Sequence, residues 1–244
     1  MNLGEAAWHV AVLIPARDEQ ELLPRCLRSV QAARRRLPSG VSSDVVVVSD
    51  GSRDRTALVA QRVLRGSGVV KKARAGVVGC ARALAAEAAL LRCGAPLQQC
   101  WLANTDADCE VPERWLVDQL AIARRGVAAV AGTVDVDSFA EHDPVVEEMF
   151  RLTYRIEADG THPHVHGANL GVRADAYVRA GGWGALATAE DHDLWGRLRI
   201  AGCPVVSDAR LRVVTSGRRV GRAPHGFAGA LAAHNPAAAA EAAV

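Results

Sequence analysis

Two hydrophobic patterns alternate along the first half of the chain. Short unbroken apolar runs, Val10 to Ile14, Val45 to Val48 and Cys100 to Ala103, leave no polar face. Strands buried on both sides of a sheet have this pattern. Between the first two runs, Leu22, Leu23, Cys26, Leu27 and Val30 recur at helical spacing on an otherwise polar segment. Asp18, with Glu21 three residues on, predicts a capping-box start for that helix. Asp54 to about Arg65 predicts a second helix, and Val69-Val70 a short third strand. The Ala- and Leu-rich stretch from Gly76 to about Arg92 predicts a third helix. Pro112 suits the first turn of a fourth, with Trp115, Leu116 and Leu120 on its buried face. Val127 to Val136 reads as a further strand. This βαβαβ alternation predicts an α/β fold: a mostly parallel central sheet with helices on both faces.

Beyond Pro144 the alternation breaks. Pro144 to Glu157 reads as helix, His162 to His166 as irregular chain, and Asn169 to Val172 as a short strand. A helix over Asp191 to Ala201 would be anchored by Leu194, Trp195, Leu198 and Ile200. Leu211 to Val214 predicts the last strand, and the tail from Ala228 is low in complexity.

The 244 residues are 50% hydrophobic, enough for one large domain with a substantial core. A net charge of +2 is too small to make nucleic acid or an anionic membrane the main partner. Of the 29 basic residues all but Lys71 and Lys72 are arginines, which permits an anionic ligand. The six cysteines form neither a Cys-x-x-Cys pair nor a zinc-like spacing with histidine, so a reducing, cytoplasmic compartment is expected. Met1 to His9 lacks the features of a secretory signal, and no apolar run is long enough to span a bilayer. Membrane contact would be peripheral at most.

Chemistry concentrates where the predicted strands end. In parallel α/β sheets ligands bind outside the carboxyl ends of the strands. Four polar clusters fall there: Pro15-Ala16-Arg17-Asp18-Glu19, Ser49-Asp50-Gly51-Ser52, the turn from Gly76 to Arg82, and Asp106-Ala107-Asp108. Two carboxylates one residue apart can hold a hard divalent cation together with substrate phosphates, although Asp is also common in turns. Asp50 reads equally as a turn residue, and Glu19 as a first-turn carboxylate answering a helix dipole. Arg82 near a helix start suits a diphosphate or a solvated surface. Glu190 and Asp191 stand where a helix begins and would cap it if they did nothing else. No Gly-x-Gly-x-x-Gly follows the first strand, which argues against a dinucleotide site.

The order of these segments resembles family 2 glycosyltransferases of the GT-A fold. The matching stretches are Val12 to Glu19, Val46 to Asp54, Gly79-Cys80-Ala81-Arg82 and Asp106-Ala107-Asp108, then His166 to Asn169, Ala180 to Trp183 and Glu190 to Trp195. The resemblance implies a soluble, metal-dependent, inverting hexosyltransferase acting between a nucleotide-diphosphate sugar donor and an acceptor hydroxyl. It implies Asp191 as general base, with Glu190 beside it. Pro15, Ala16, Arg17, Glu19, Asp50, Arg82 and Asp106 would bind the donor, and Gly167, Ala168, Asn169 and Trp183 the acceptor. Asp106, Asp108 and a C-terminal histidine, His225, would hold Mg²⁺ or Mn²⁺. Residues 1–136 would form the donor half, 137–227 the acceptor and base half, and 228–244 a tail. The chain has Asp18-Glu19 where the family often has Asn-Glu, and Ser49-Asp50 where it often has Asp-Asp, so the nucleotide stays open. A nucleotidyltransferase and a non-catalytic nucleotide-sugar binding module are the alternatives.

Overall fold

A computed structural model describes residues 7–222 and 226–236. Seven strands form one sheet: β1 (His9–Ala16), β2 (Ser42–Asp50), β3 (Val69–Ala73), β4 (Cys100–Asn104), β5 (Ala129–Val136), β6 (Leu170–Arg173) and β7 (Val205–Thr215). The eight helices among the described residues are α1 (Leu23–Arg35), α2 (Thr56–Leu64), α3 (Val78–Arg92), α4 (Trp115–Arg124), α5 (Pro144–Thr153), α6 (Ala174–Arg179), α7 (Glu190–Ile200) and α8 (Phe227–Ala232).

The strand order is β3-β2-β1-β4-β6-β5-β7. β1 pairs in parallel with both β2 and β4, while β6 runs antiparallel between β4 and β5. The sheet is therefore mostly parallel, as its apolar runs predict. Alternate residues of those runs enter two separate cores. Val10, Val12, Ile14, Val45 and Val47 pack beneath α1, α2 and α4, whereas Ala11, Leu13, Val46 and Val48 pack beneath α3, α6 and α7. Burying both faces removes any need for a polar alternation.

The chain builds β1, β2 and β3 outward in one direction, then returns to place β4 on the other side of β1. Ligand crevices form at such switch points, outside the strand carboxyl ends. Leu13 of β1 is level with Asn104 of β4, which brings the segments beginning at Pro15 and Thr105 out of the sheet side by side.

Three expectations need correcting. Asp18 does not cap α1, which begins after Leu22 without a side-chain cap. Asp18 instead has a left-handed φ of 52°, and its carboxylate accepts the backbone N–H groups of Arg53 (2.7 Å) and Asp54 (3.4 Å). It thus organises the loop after β2. Ile200 is no anchor of α7: it is 88% exposed, while Leu194 and Leu198 are fully buried. The helix from Pro144 stops at Thr153, since Tyr154 turns extended and packs its ring against His164. Among the described residues no helix is long and apolar enough to cross a membrane.

Candidate active site

At the β1/β4 switch point lies a cleft of about 450 Å³. Its walls include Pro15, Ala16, Arg17 and Glu19 from the end of β1, Asp50 from β2, and Asp106 and Asp108 from the loop after β4. The facing wall comes from the far end of the sequence: Thr215, Ser216, Arg218, Arg222 and Phe227.

Asp50 is 3% exposed and its carboxylate is fully employed. One oxygen accepts Arg17 Nη2 at 2.5 Å, and the other accepts the N–H groups of Ala75 (2.6 Å) and Gly76 (3.3 Å). Arg17 also donates Nε–H to the Asp50 carbonyl at 3.0 Å. Asp50 therefore ties three strand-end segments together at one end of the cleft.

Arg82 occupies a different place from that suggested by a helix start. It lies one turn into α3 and is 2% exposed. Its Nε donates to Glu190 Oε1 (3.0 Å), Nη1 to the Gly167 carbonyl (3.1 Å), and Nη2 to Asp106 Oδ1 (2.7 Å). The guanidinium also lies over the ring of Trp183, 5.3 Å from its centre. A Cβ at Gly167 would come within 2.3 Å of Arg82 Nη2, so a larger residue there would displace the guanidinium from its partners. The arginine joins Asp106 on the cleft wall to Glu190 and Gly167 behind it.

Gly167 continues the chain of contacts, because its N–H donates to Asp191 Oδ2 at 2.7 Å. Asp191 is partly exposed in the first turn of α7, and its Oδ1 accepts the His192 N–H at 2.8 Å. Glu190 beside it is buried, which pushes its carboxyl pKa up against the opposing pull of Arg82. His166 is half-buried, and loss of solvent around it lowers its imidazole to about 4.

The remaining acceptor candidates are not on the surface. Ala168 is buried, and Asn169 donates to the carbonyls of Thr133 (2.8 Å) and Leu211 (2.9 Å) while accepting Trp115 Nε1–H (2.9 Å). Its amide clasps β5, β7 and α4. Trp183 is 6% exposed, packed in the core beneath Arg82. His225 lies outside the described residues.

Asp106, Asp108 and Cys109 hold potential ligand atoms within 4.8 Å of one another. Burial pushes Asp108 up to about 6, with Arg218 pulling the other way. Burial likewise raises the Cys109 thiol well above its ordinary value. The two carboxylates of this cluster fit a hard cation such as Mg²⁺ or Mn²⁺.

Arg218 and Arg222 have no counterpart among the sequence-predicted residues. Arg218 Nη2 lies 2.6 Å from Asp108 Oδ2 and 2.7 Å from Glu19 Oε1. Arg222 Nε lies 3.7 Å from the same Glu19 oxygen, and its Nη2 donates to the Asp18 carbonyl at 3.1 Å. No local spacing announces them; the only available signal is that buried acids at Glu19 and Asp108 require a cation.

The sequence profile described as glycosyl transferase family 2 matches residues 11–179. No curated protein matches the chain. Solved structures do. A fragment of S. aureus TarS in complex with UDP-GlcNAc superposes with a TM-score of 0.65 at 15% identity, covering 90% of this chain. This chain spans 61% of that fragment's length. The mannosyltransferase PcManGT from Pyrobaculum calidifontis, in complex with GDP-Man and Mn²⁺, gives 0.64 at 20% identity, covering 98% of this chain and 74% of that one. With the profile match spanning most of the sequence and the sheet and its switch-point cleft in place, this chain belongs to glycosyl transferase family 2 and has the GT-A fold.

Proposed function

We propose that this protein transfers a hexosyl group from a nucleotide-diphosphate sugar to an acceptor hydroxyl, with inversion at the anomeric carbon. The observation that carries the reading is the unbroken chain Asp106–Arg82–Gly167–Asp191, which links the metal-type carboxylates to a candidate base. An inverting transfer needs a base on one side of the reacting carbon and a stabilised diphosphate on the other. Relatives of the same fold carry UDP-GlcNAc, or GDP-Man with Mn²⁺, which supports a nucleotide-sugar donor.

In this reading Asp106 and Asp108 hold Mg²⁺ or Mn²⁺. When bound, such a cation supplies Lewis-acid stabilisation of the departing diphosphate. Pro15, Ala16, Arg17, Glu19 and Asp50 form the donor wall, with Asp50 fixing the loop against which the nucleotide rests. Asp191 takes the proton from the acceptor hydroxyl, held in place by the Gly167 N–H. Glu190 does not reach out itself; it is the buried counter-charge of Arg82. Arg82 acts through its neighbours, positioning Asp106 and the Gly167 backbone. The donor half is then residues 1–136. Residues 137–227 supply the base and acceptor side, including Ala168, Asn169 and Trp183 as supports behind the surface, and 228–244 is the tail. The six free cysteines suit a reducing, cytoplasmic setting.

The test is incubation with a panel of nucleotide sugars and Mn²⁺ or Mg²⁺, comparing the parent with Asp191→Asn. The parent should release nucleoside diphosphate and give a product of inverted configuration. Asp191→Asn should lose about 10²–10⁴-fold in kcat while donor affinity stays near the parent's. Diphosphate release from a nucleoside triphosphate instead would identify a nucleotidyltransferase. Turnover of the Asn variant at the parent rate with saturating acceptor would remove Asp191 from the mechanism.

A further inference from the structure

Arg218 is held where a metal and its ligands would compete for the same oxygens. Its guanidinium bridges Glu19 and Asp108, which are 5% and 13% exposed at their side chains. The backbone before it is anchored firmly. Gly217 N–H donates to Asp137 Oδ1 at 2.9 Å, and the Gly217 carbonyl lies 3.0 Å from His142 Nε2. A Cβ at Gly217 would fall 1.9 Å from the Ser138 carbonyl oxygen, so that strand end is pressed tightly against its neighbour. The long side chain that follows lines the cleft.

Electrostatics gives this arrangement two states. Without a cation, two buried carboxylates would repel one another at a large desolvation cost, and Arg218 offsets it. A divalent ion drawing on Asp108 would face the guanidinium as a like charge at close range. A diphosphate brings the negative charge that resolves the conflict, and a guanidinium is its natural bidentate partner. Building on the donor reading above, we propose that Arg218 is a donor ligand held in reserve. It neutralises Glu19 and Asp108 in the unliganded protein and passes to the diphosphate when cation and nucleotide arrive together. Metal alone then binds weakly, and metal and nucleotide strengthen each other reciprocally.

The experiment titrates parent and Arg218→Gln with Mn²⁺, reading free Mn²⁺ by electron paramagnetic resonance, alone and with UDP, GDP, TDP or CDP. In Arg218→Gln, Mn²⁺ alone should bind about tenfold more tightly, while nucleotide affinity in the presence of Mn²⁺ falls about 10- to 100-fold. A merely structural role would lower both affinities together. Unchanged or weaker Mn²⁺ binding by the folded Gln variant overturns the proposal. If that variant does not fold, Arg218→Lys keeps the charge without the fork. It should leave Mn²⁺ binding weak and lower nucleotide affinity several-fold, and full nucleotide affinity there overturns the proposal as well. A parent that binds no nucleotide with Mn²⁺ removes the donor reading and this proposal with it. A parent that binds it, with the opposite-signed response missing, removes this proposal alone.

Discussion

The two walls of the cleft are built by opposite means. On the first wall, Arg17, Glu19, Asp50, Asp106 and Asp108 sit at the ends of β1, β2 and β4, three parallel neighbours in one sheet. Their positions follow from strand register. On the second wall, Arg218, Arg222 and Phe227 follow the last strand, and Arg218 meets Asp108 across a separation of 110 residues. Behind this wall, the stacked rings of Tyr154, His164 and His166 belong to a helix end and irregular chain, with His166 edge-on to Phe227. The first wall is mainly acidic, with Arg17 already paired to Asp50, and the second supplies further cations and, behind them, titratable rings. Neither is chemically complete alone: Glu19 and Asp108 are buried acids that need Arg218.

Arg82 is the place where the largest effect is expected, because it ties Asp106 of the first wall to Glu190 and the Gly167 carbonyl behind it. Arg82→Met would leave Glu190 buried without its counter-charge and the Gly167 carbonyl without its donor. Removing one partner of a buried pair costs about 3–5 kcal/mol. Urea denaturation should show a loss of that order. A loss below about 1 kcal/mol, the scale of an exposed pair, would mean that Arg82 does not hold the first wall to the segments behind it.

A smaller effect separates the walls by pH. His166 is held at about 4 by burial, below its ordinary value of 6.5. Between those values this imidazole binds a proton in the unfolded chain and not in the folded one. Its contribution to stability is therefore full above about pH 6.5 and falls as pH drops toward 4, opposed by Asp108, whose raised carboxyl acts the other way. Burial lowers His162 and His164 in the same direction. His166→Gln should therefore make urea-unfolding stability less dependent on pH across this window, without abolishing the dependence. An unaltered slope would show that acid sensitivity does not arise at the second wall.

The asymmetry also explains what was legible in the sequence. Val45 to Val48 announces a strand because every residue is apolar, and a parallel strand's end then locates Asp50. The end of the apolar run Cys100 to Ala103 likewise locates Asp106 and Asp108. Positions whose environment depends on a neighbour distant in sequence are not legible in this way. Asp18 looks like a cap, yet its carboxylate is taken by the Arg53 and Asp54 backbone. Arg82 looks like a phosphate ligand at a helix start, but the turn of α3 points it inward to Glu190 and Gly167. Asn169 and Trp183, which the resemblance assigns to the acceptor, are both buried by packing that no spacing encodes. Arg218 is one arginine among many, and nothing near it in the chain distinguishes it from a solvated surface residue.

The central claim is that the first wall's paired acids receive a cation together with a nucleoside diphosphate. The most direct measurement is calorimetric nucleotide affinity with and without Mn²⁺ in the parent and in Asp108→Asn, which keeps the shape and removes the charge. In the parent, Mn²⁺ should tighten nucleotide binding. In the Asn variant, with the fold intact by circular dichroism, the two affinities should become equal. If Mn²⁺ tightens binding in Asp108→Asn as much as in the parent, Asp108 does not hold the cation and the account is contradicted.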